Sequence, residues 1–420
     1  VEISIISTGS RGDVQPYVAL GLGLQRAGHR VRFLAPSDYK NLVQNHQLDF
    51  EDLGGNIQSV AQGLEGQLEQ GNMLRILLEM RGAAEQLVGE AARRGLEASK
   101  GSDVLLAGLG GLSIAATISE ALDIPFVPAF LYPFTPTSEF ASVLSPLHSR
   151  ILPGWLNRWT FHLAQQLMWQ SMRSADNKAR QEKLGLERAP FWGPFSRLHD
   201  GKLPVLYGYS RYVIPIPTDW DDSNHVTGYW LLEPSTEWKP PPRLQQFLDA
   251  GQPPVYIGFG SMVDSNPEQT VRMVIGALEA SGQRGILSSG WGGMQAEELP
   301  DFVHMVGSVP HTWLFPRMAA VVHHGGVGTT AAGLRAGVPS ILAPFFGDQP
   351  FWGHRVFELG VGPKPIPRKR LSAMSLGAAI RLAVNDGDMQ ERAVLLGAKI
   401  RNEDGISRAV EVLERAFNPA

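Results

Sequence analysis

Short apolar runs alternate along the first third of the chain with stretches whose apolar residues fall at helical spacing. Ile3–Ser7 predicts a strand, Tyr17–Ala27 a helix with Leu20, Leu24 and Ala27 on one face, and Val31–Ala35 the next strand. A helical stretch, Leu74–Ala98, precedes the strand Val104–Leu109, the helix Leu112–Leu122 and the strand Phe126–Ala129. This alternation predicts a mostly parallel sheet covered by helices on both faces.

The pattern changes between Tyr132 and Phe195, which is aromatic and punctuated by proline. Leu156–Asn177 reads as a helix, with Trp155, Trp159, Leu163 and Leu167 at near-helical spacing. Such a stripe is either ordinary core or an apolar face for a ligand or a membrane. Thr218–Pro242 reads as a linker, with Asp219-Trp220-Asp221-Asp222 and Pro240-Pro241-Pro242 as its turn signals. Its Asp-Trp-Asp has the spacing of a metal-binding Asp-x-Asp, but acidic turn residues are the simpler reading in a proline-rich connector.

Alternation then restarts. Val255–Phe259, Gly285–Ser288, Val303–Val306, Ala319–His323 and Pro339–Ala343 read as strands, and Glu268–Ser281 as a helix. Ile406, Val410, Leu413 and Phe417 step by helical turns and predict an amphipathic final helix. The expected organisation is a first α/β domain at 1–217, a linker at 218–242, a second α/β domain at 243–403 and a closing helix at 404–420. Two such units would leave a cleft, and ligands of parallel sheets sit at the carboxyl ends of their strands.

Composition narrows the function classes. A chain of 420 residues exceeds one ordinary core. Apolar content of 43% against 19% charged is that of a folded globular protein. A net charge of -4 without a long basic run gives no reason to expect a nucleic-acid partner. The short cluster Pro367-Arg368-Lys369-Arg370 reads as a solvated loop. The absence of cysteine excludes disulfides, thiolate nucleophiles and cysteine-ligated zinc, and it fits a reducing, cytoplasmic setting. No signal peptide precedes the first strand, although the missing initiator Met suggests trimming. Val104–Ile118 is too short and too rich in glycine to span a membrane.

The run most charged with chemistry is His323-His324-Gly325-Gly326-Val327-Gly328-Thr329-Thr330, between a strand and a helix. Bare backbone N–H groups converge at such a junction, and the helix dipole adds roughly half a positive charge. Thr329 and Thr330 could add hydroxyl donors. A phosphate or diphosphate suits the site, while a plain packing turn is the alternative. Asp13, in Ser7-Thr8-Gly9-Ser10-Arg11-Gly12-Asp13, follows the first strand. Its carboxylate can take a proton from a substrate hydroxyl or cap the next helix. Gly21-Leu22-Gly23 mimics a dinucleotide fingerprint but lies within a helix and lacks the final glycine. Ser261, after the strand ending at Phe259, can reach a phosphate oxygen or simply form a turn. Asp348-Gln349 sets a charged acceptor beside a mixed donor and acceptor, a pair suited to vicinal sugar hydroxyls.

Four blocks together carry a family resemblance: Gly9 through Pro16, Ile257 through Met262, His323 through Pro339, and Pro344 through Gln349. In these blocks, and in their order, the chain resembles UDP-sugar-dependent glycosyltransferases of the GT-B fold. It is most similar to the sterol glucosyltransferases and their bacterial relatives, with antibiotic-aglycone glycosyltransferases more distant. The resemblance implies two Rossmann-like domains with mostly parallel sheets facing a central cleft, and a final helix crossing back to the N-terminal domain. It implies that His324 hydrogen-bonds the donor diphosphate, with Gly326, Gly328, Thr329 and Thr330 around the phosphates and Ser10, Arg11, Gly12 and Ser261 also on the donor. Val309 and His311 fall in the uracil-reading segment, Asp348 and Gln349 match the sugar-holding pair, and Asp13 matches the catalytic base.

Two departures limit the transfer of roles. Plant relatives have a ribose-binding glutamate where this chain has Ala332, and Ser308 stands where they stack a tryptophan on the uracil. No acid lies near Ala107, where a histidine-dependent relative needs its orienting carboxylate, and an aspartate base needs none. The implied reaction is an inverting transfer of a hexose, glucose by resemblance, from UDP-glucose or a related UDP-sugar to an apolar alcohol such as a sterol. No metal or other cofactor is expected. Phe130, Tyr132, Phe134, Trp155 and Trp159 are the expected acceptor-binding aromatics, and peripheral contact with a membrane surface would fit such an acceptor. The rival readings are a UDP-sugar isomerase and a non-catalytic lipid- or sterol-binding module. A nicotinamide enzyme is disfavoured, because no dinucleotide fingerprint survives.

Overall fold

A computed structural model describes residues 1–55, 87–147, 151–197, 203–235, 237–259, 267–288 and 299–417. They form two compact units, one running to Trp230 and resuming at Glu403, the other spanning Leu231–Asn402.

The first unit is built on a seven-stranded sheet, from β1 (Glu2–Ile6), β2 (Arg30–Ala35), β3 (Asp49–Asp52), β4 (Val104–Ala107), β5 (Phe126–Phe130), β6 (Val205–Tyr207) and β7 (Asn224–Val226). Its order is β3-β2-β1-β4-β5-β6-β7, and every pairing is parallel. Winding runs outward from β1 to β3, then resumes on β1's other side with β4. The sheet therefore has a switch point between β1 and β4, where the connections leave in opposite directions along the sheet. Thr8 Oγ1 donates to the Gly110 carbonyl at 2.7 Å and ties those two loops together.

The second unit repeats the plan with five parallel strands: β8 (Val255–Gly258), β9 (Gly285–Ser288), β10 (Val303–Val306), β11 (Ala320–His323) and β12 (Ser340–Leu342). Their order, β10-β9-β8-β11-β12, puts the switch point between β8 and β11. The histidine–glycine run follows β11, so it lies at that switch point. Val255, Ile257, Leu287, Val322 and Ile341 are fully buried in the core beneath the helices of one face.

Most predicted elements are present within a residue or two, and three differences are informative. The helix expected from Tyr17 begins at Arg11 and carries Pro16 inside it. Periodicity alone started it after the proline, whose missing N–H reads as a helix boundary. The predicted linker contributes β7 to the first sheet, and the first unit extends through it to Trp230. Its acidic residues hold turns. Asp219 accepts from Thr137 Oγ1 at 2.6 Å, from Ser138 N and Oγ at 2.8 Å and from Arg158 at 2.9 Å, which keeps its carboxyl well below the ordinary range. Lastly, the helix expected over 156–177 is longer, Gly154–Lys183. Residues 74–86 of the predicted helix Leu74–Ala98 lie outside the described residues, whereas 87–99 are helical.

The helix Gly405–Phe417 returns to the first unit and packs on the helix Arg11–Arg26. Gly23 makes that approach possible, since a Cβ there would stand 2.2 Å from Ile406 Cγ2. A Cβ at Gly21 would press on Leu48, Ile5 and Val31. The two glycines of the false fingerprint are thus packing residues on a buried helix. Among the described residues, no helix is long and apolar enough to cross a membrane.

Candidate active site

Asp13 occupies the first turn of the helix after β1, where it does cap. Ser10 N–H and Oγ–H donate to Asp13 Oδ2 at 2.8 and 2.7 Å. Gly9 has φ +120°, and a Cβ there would meet Asp13 Oδ2 at 2.7 Å, so glycine is needed both for the turn and for the carboxylate's position. Burial raises the Asp13 pKa, partly offset by the two Ser10 hydrogen bonds. Capping and proton abstraction are compatible here. Both capping bonds fall on Oδ2, and among the described residues Oδ1 receives no hydrogen bond. A desolvated carboxylate is also a stronger base than an ordinary one.

Tyr39 OH donates to the Gly9 carbonyl at 2.9 Å, and Tyr17 OH to the Ala129 carbonyl at 2.5 Å. Both phenol pKa values are raised, first by burial and then by the negative charge of Asp13. These tyrosines frame the aspartate, yet nothing local in the sequence marks them, because the packing of α/β segments brings them there. Arg11 Nε donates to Gln15 Oε1 at 3.2 Å along the helix surface, and Gly12 is half-buried beside it.

In the second unit, Gly325 takes φ +98° and Gly326 begins the helix Val327–Ala336 without a side-chain cap. The N–H groups of Val327, Gly328 and Thr329 are the open donors of the first turn. Thr330 is used differently from the sequence expectation. Its N–H and its hydroxyl both donate to the Gly326 carbonyl, at 2.9 and 3.0 Å, and neither is left for an anion. Ser261 lies outside the described residues.

The two histidines separate sharply. His323 ends β11, is fully buried, and accepts from Gly325 N–H at its Nδ1 at 3.1 Å. It braces the turn, and burial holds its pKa well below the ordinary value. His324 stands over the loop, with its Nε2 2.6 Å from where a Cβ on Gly326 would be. Burial lowers its pKa to about 4, so it is neutral at pH 7, and among the described residues its buried Nδ1 has no hydrogen-bond partner. A neutral imidazole beside open helix N–H groups can donate to a phosphate oxygen without bringing a formal charge.

Asp348 and Gln349 lie against this loop. A Cβ at Gly325 would be 3.2 Å from the Gln349 carbonyl. Trp352 Nε1–H donates to Asp348 Oδ2 at 2.8 Å, and Phe345 N–H to Gln349 Oε1 at 2.8 Å. These bonds fix both side chains on rigid backbone. Tyr256 OH and His311 Nε2 are 3.2 Å apart, and the His311 ring stacks on Phe315 at 4.3 Å. Val309 is half-buried next to them and Ser308 is exposed. Among the described residues, no three His, Asp or Glu side chains are grouped as metal ligands.

The five expected acceptor aromatics do not form one set. Phe130 and Phe134 are buried with ring centroids 4.7 Å apart in a tilted contact, with Tyr207 and Phe195 around them, and Tyr132 is half-buried. Trp155 and Trp159 are 67% and 61% exposed on the outer face of their helix, so the stripe is not core. A cavity of about 670 Å³ does open in the first unit, lined by Thr117, Glu120, Asp176 and Arg180, but beside the amino end of β5.

Comparison with known proteins agrees with this architecture. Residues 3–141 match the glycosyltransferase family 28 N-terminal domain, and residues 291–411 match the C-terminal domain of erythromycin biosynthesis protein CIII-like enzymes. Among solved structures, the glycotransferase of kitacinnamycin superposes with TM-score 0.70 at 20% identity, covering 99% of this chain and 98% of that one. The Streptomyces sp. SF2575 glycosyltransferase SsfS6, complexed with thymidine diphosphate, superposes with TM-score 0.64 at 18% identity, covering 99% of each. These two share the GT-B fold with this chain. The sterol 3-beta-glucosyltransferase UGT80B1 of Arabidopsis thaliana is 35% identical, over 100% of this chain and 68% of its own length. That of Cryptococcus neoformans is 36% identical over 99% of this chain, which spans only 27% of that longer protein. Matched at this level from end to end, the chain belongs to the glycosyltransferase family of the sterol 3-beta-glucosyltransferases.

Proposed function

We propose that the chain moves a hexose, glucose in the first instance, from a UDP-sugar to the hydroxyl of a sterol or similar polycyclic alcohol, inverting the anomeric centre. The observation that carries this reading is the uncapped helix N-terminus after β11, in a chain that sterol 3-beta-glucosyltransferases match along nearly its whole length. Asp13 accepts the acceptor's proton as its oxygen attacks the sugar carbon. The bond from that carbon to the diphosphate breaks, and UDP departs with the negative charge. The N–H groups of Val327, Gly328 and Thr329 and the His324 ring stabilise that growing charge. The helix N-terminus supplies a positive field without a metal ion. Asp348 and Gln349 hold the sugar hydroxyls. The acceptor is a membrane lipid in this reading, so peripheral contact with a bilayer belongs to it.

The test is UDP release from several UDP-sugars with and without a panel of sterols and other apolar alcohols. Release that requires a sterol is expected. Equal consumption of donor without any acceptor would point to the isomerase, and no turnover with bound sterol would point to a binding module. A finer probe is Gly326→Ala. The backbone there, φ -60° and ψ 142°, accepts alanine, so only the His324 ring has to move. Affinity for UDP should fall about tenfold, equivalent to about 1.4 kcal/mol, with thermal stability nearly unchanged. Titration calorimetry checks this, and an unaltered affinity would remove the ring from the phosphate site.

A further inference from the structure

The helix Gly154–Lys183 packs one face inward and leaves a separate apolar stripe uncovered. Its buried face carries Phe161 and Trp169 together with Asn157, Thr160 and Gln165, and each of the three polar side chains is anchored by a specific hydrogen bond. Asn157 Nδ2 donates to the Ser138 carbonyl at 2.9 Å, Ser142 N–H donates to Thr160 Oγ1 at 2.8 Å, and Gln165 Nε2 donates to the Phe134 carbonyl at 3.1 Å. Its outer face carries Trp155, Trp159, Leu163 and Leu167, all more than half exposed. A helix normally turns its apolar stripe inward. Here the inward face is already filled by Phe161, Trp169 and the anchored polar groups, and a second apolar stripe is presented outward.

The stripe extends beyond the helix. Gln166 Nε2 and Gln170 Nε2 donate to the Trp192 and Phe191 carbonyls, each at 2.9 Å, and hold that loop against the middle of the helix, beside Leu163 and Leu167. Phe191 and Trp192 are exposed beside it, and Ile151 stands fully clear of the fold at 105% of its reference exposure. Contiguous apolar surface of this kind on a soluble protein marks an interaction site.

We propose that this surface docks onto a lipid bilayer, seating the helix face and the Phe191–Trp192 loop at headgroup depth. This deepens the proposed activity and rests on it only for the reason that docking is useful, since such an acceptor lies in a membrane. Three features select a bilayer over a folded protein partner. The apolar groups protrude, as a deformable lipid surface tolerates and a preformed pocket does not. Tryptophan is the side chain that favours the membrane–water boundary, where its ring is apolar and its N–H stays wet. The charge also fits: from Gly154 to Ala175 the helix has no carboxylate, and with Arg158 paired to Asp219, Arg173 places its cation 5.0 Å over the exposed Phe191 ring, where anionic headgroups are attracted and not repelled.

The experiment is co-sedimentation of the full chain with vesicles of phosphatidylcholine and phosphatidylserine in equal parts. Its comparison is the triple variant Leu163→Gln, Leu167→Gln and Trp192→Gln, whose sites are exposed and should not disturb folding. The wild-type chain should sediment with vesicles, and the variant's partition should fall at least about tenfold. Brominated lipids should quench wild-type tryptophan fluorescence and spare the variant. Transfer to a detergent-dispersed acceptor should be unchanged in the variant, while transfer to a vesicle-embedded acceptor is lost. Absent vesicle binding by the wild type, or equal binding by the variant, overturns the proposal. So does a wild-type dimer in light scattering that the variant dissolves, which would make the face a contact between copies. Vesicle binding lost in the variant, with no sugar transfer by either, would sink the transferase reading and leave the docking surface standing.

Discussion

Asp13→Asn should lower kcat by about 10²–10⁴-fold, the range a positioned general base contributes, and leave UDP affinity nearly unchanged. The substitution separates the two roles of this side chain. An asparagine oxygen can still accept from Ser10 N–H and Oγ–H, so the cap survives. What is lost is the capacity to take up a proton. Removing a partly desolvated charge should also leave thermal stability level or slightly higher. Retained activity with a lowered melting temperature would reduce Asp13 to a cap. The pH profile supplies a second check. Burial raises the Asp13 pKa, and the base works only when ionised, so wild-type activity should fall on the acid side through a pKa above the ordinary carboxylate value. An acid limb at or below that value would contradict the assignment.

His324→Ala should weaken UDP binding by about tenfold to 150-fold, since a hydrogen bond to a charged group contributes about 1.5–3 kcal/mol. Because its pKa is about 4, the free protein presents a neutral ring at pH 7. A bound diphosphate favours the protonated form, so the ring's pKa is higher in the complex. Affinity should therefore strengthen as pH falls from 7 toward 5, with proton uptake seen by calorimetry in buffers of different ionisation heat, and both effects should vanish in the variant. Stability of the unliganded chain runs the other way. The folded-state pKa lies below the unfolded value of 6.5, so the neutral ring's contribution is present above 6.5 and lost as pH drops toward 4. Burial of His323 acts in the same direction.

The reading from sequence succeeded where the signal is local. The histidine–glycine run lies between a strand and a helix, as its turn chemistry requires, and of its two histidines His323 braces the turn while His324 stands beside Gly326. Thr330 shows where local reading stopped. A threonine beside a phosphate loop looks like a donor, yet one helical turn back the Gly326 carbonyl takes both of its protons. Gln349 is similar: its side-chain oxygen is fixed by Phe345 N–H, a bond that no spacing rule shows. Tyr17 and Tyr39 were missed altogether as neighbours of Asp13.

By itself the sequence determined the alternation of strand and helix, the parallel class, the glycine-bearing turns after β1 and β11, and the amphipathic closing helix. Each of these depends on residues within a few positions of one another, whose periodicity and backbone freedom are set locally. The tertiary structure alone decided the strand orders and therefore the switch points beside Asp13 and His324. It also decided the recruitment of 224–226 into the first sheet, the docking of the last helix on Gly23, and the depth of burial that neutralises His324. Most of all, it decided which side of Gly154–Lys183 faces out. Periodicity marks an apolar stripe, but only contacts between distant segments determine whether that stripe is covered. Here Phe161, Trp169 and the polar groups bonded to Ser138, Ser142 and Phe134 took the inward face, and Trp155 and Trp159 were left to the surface.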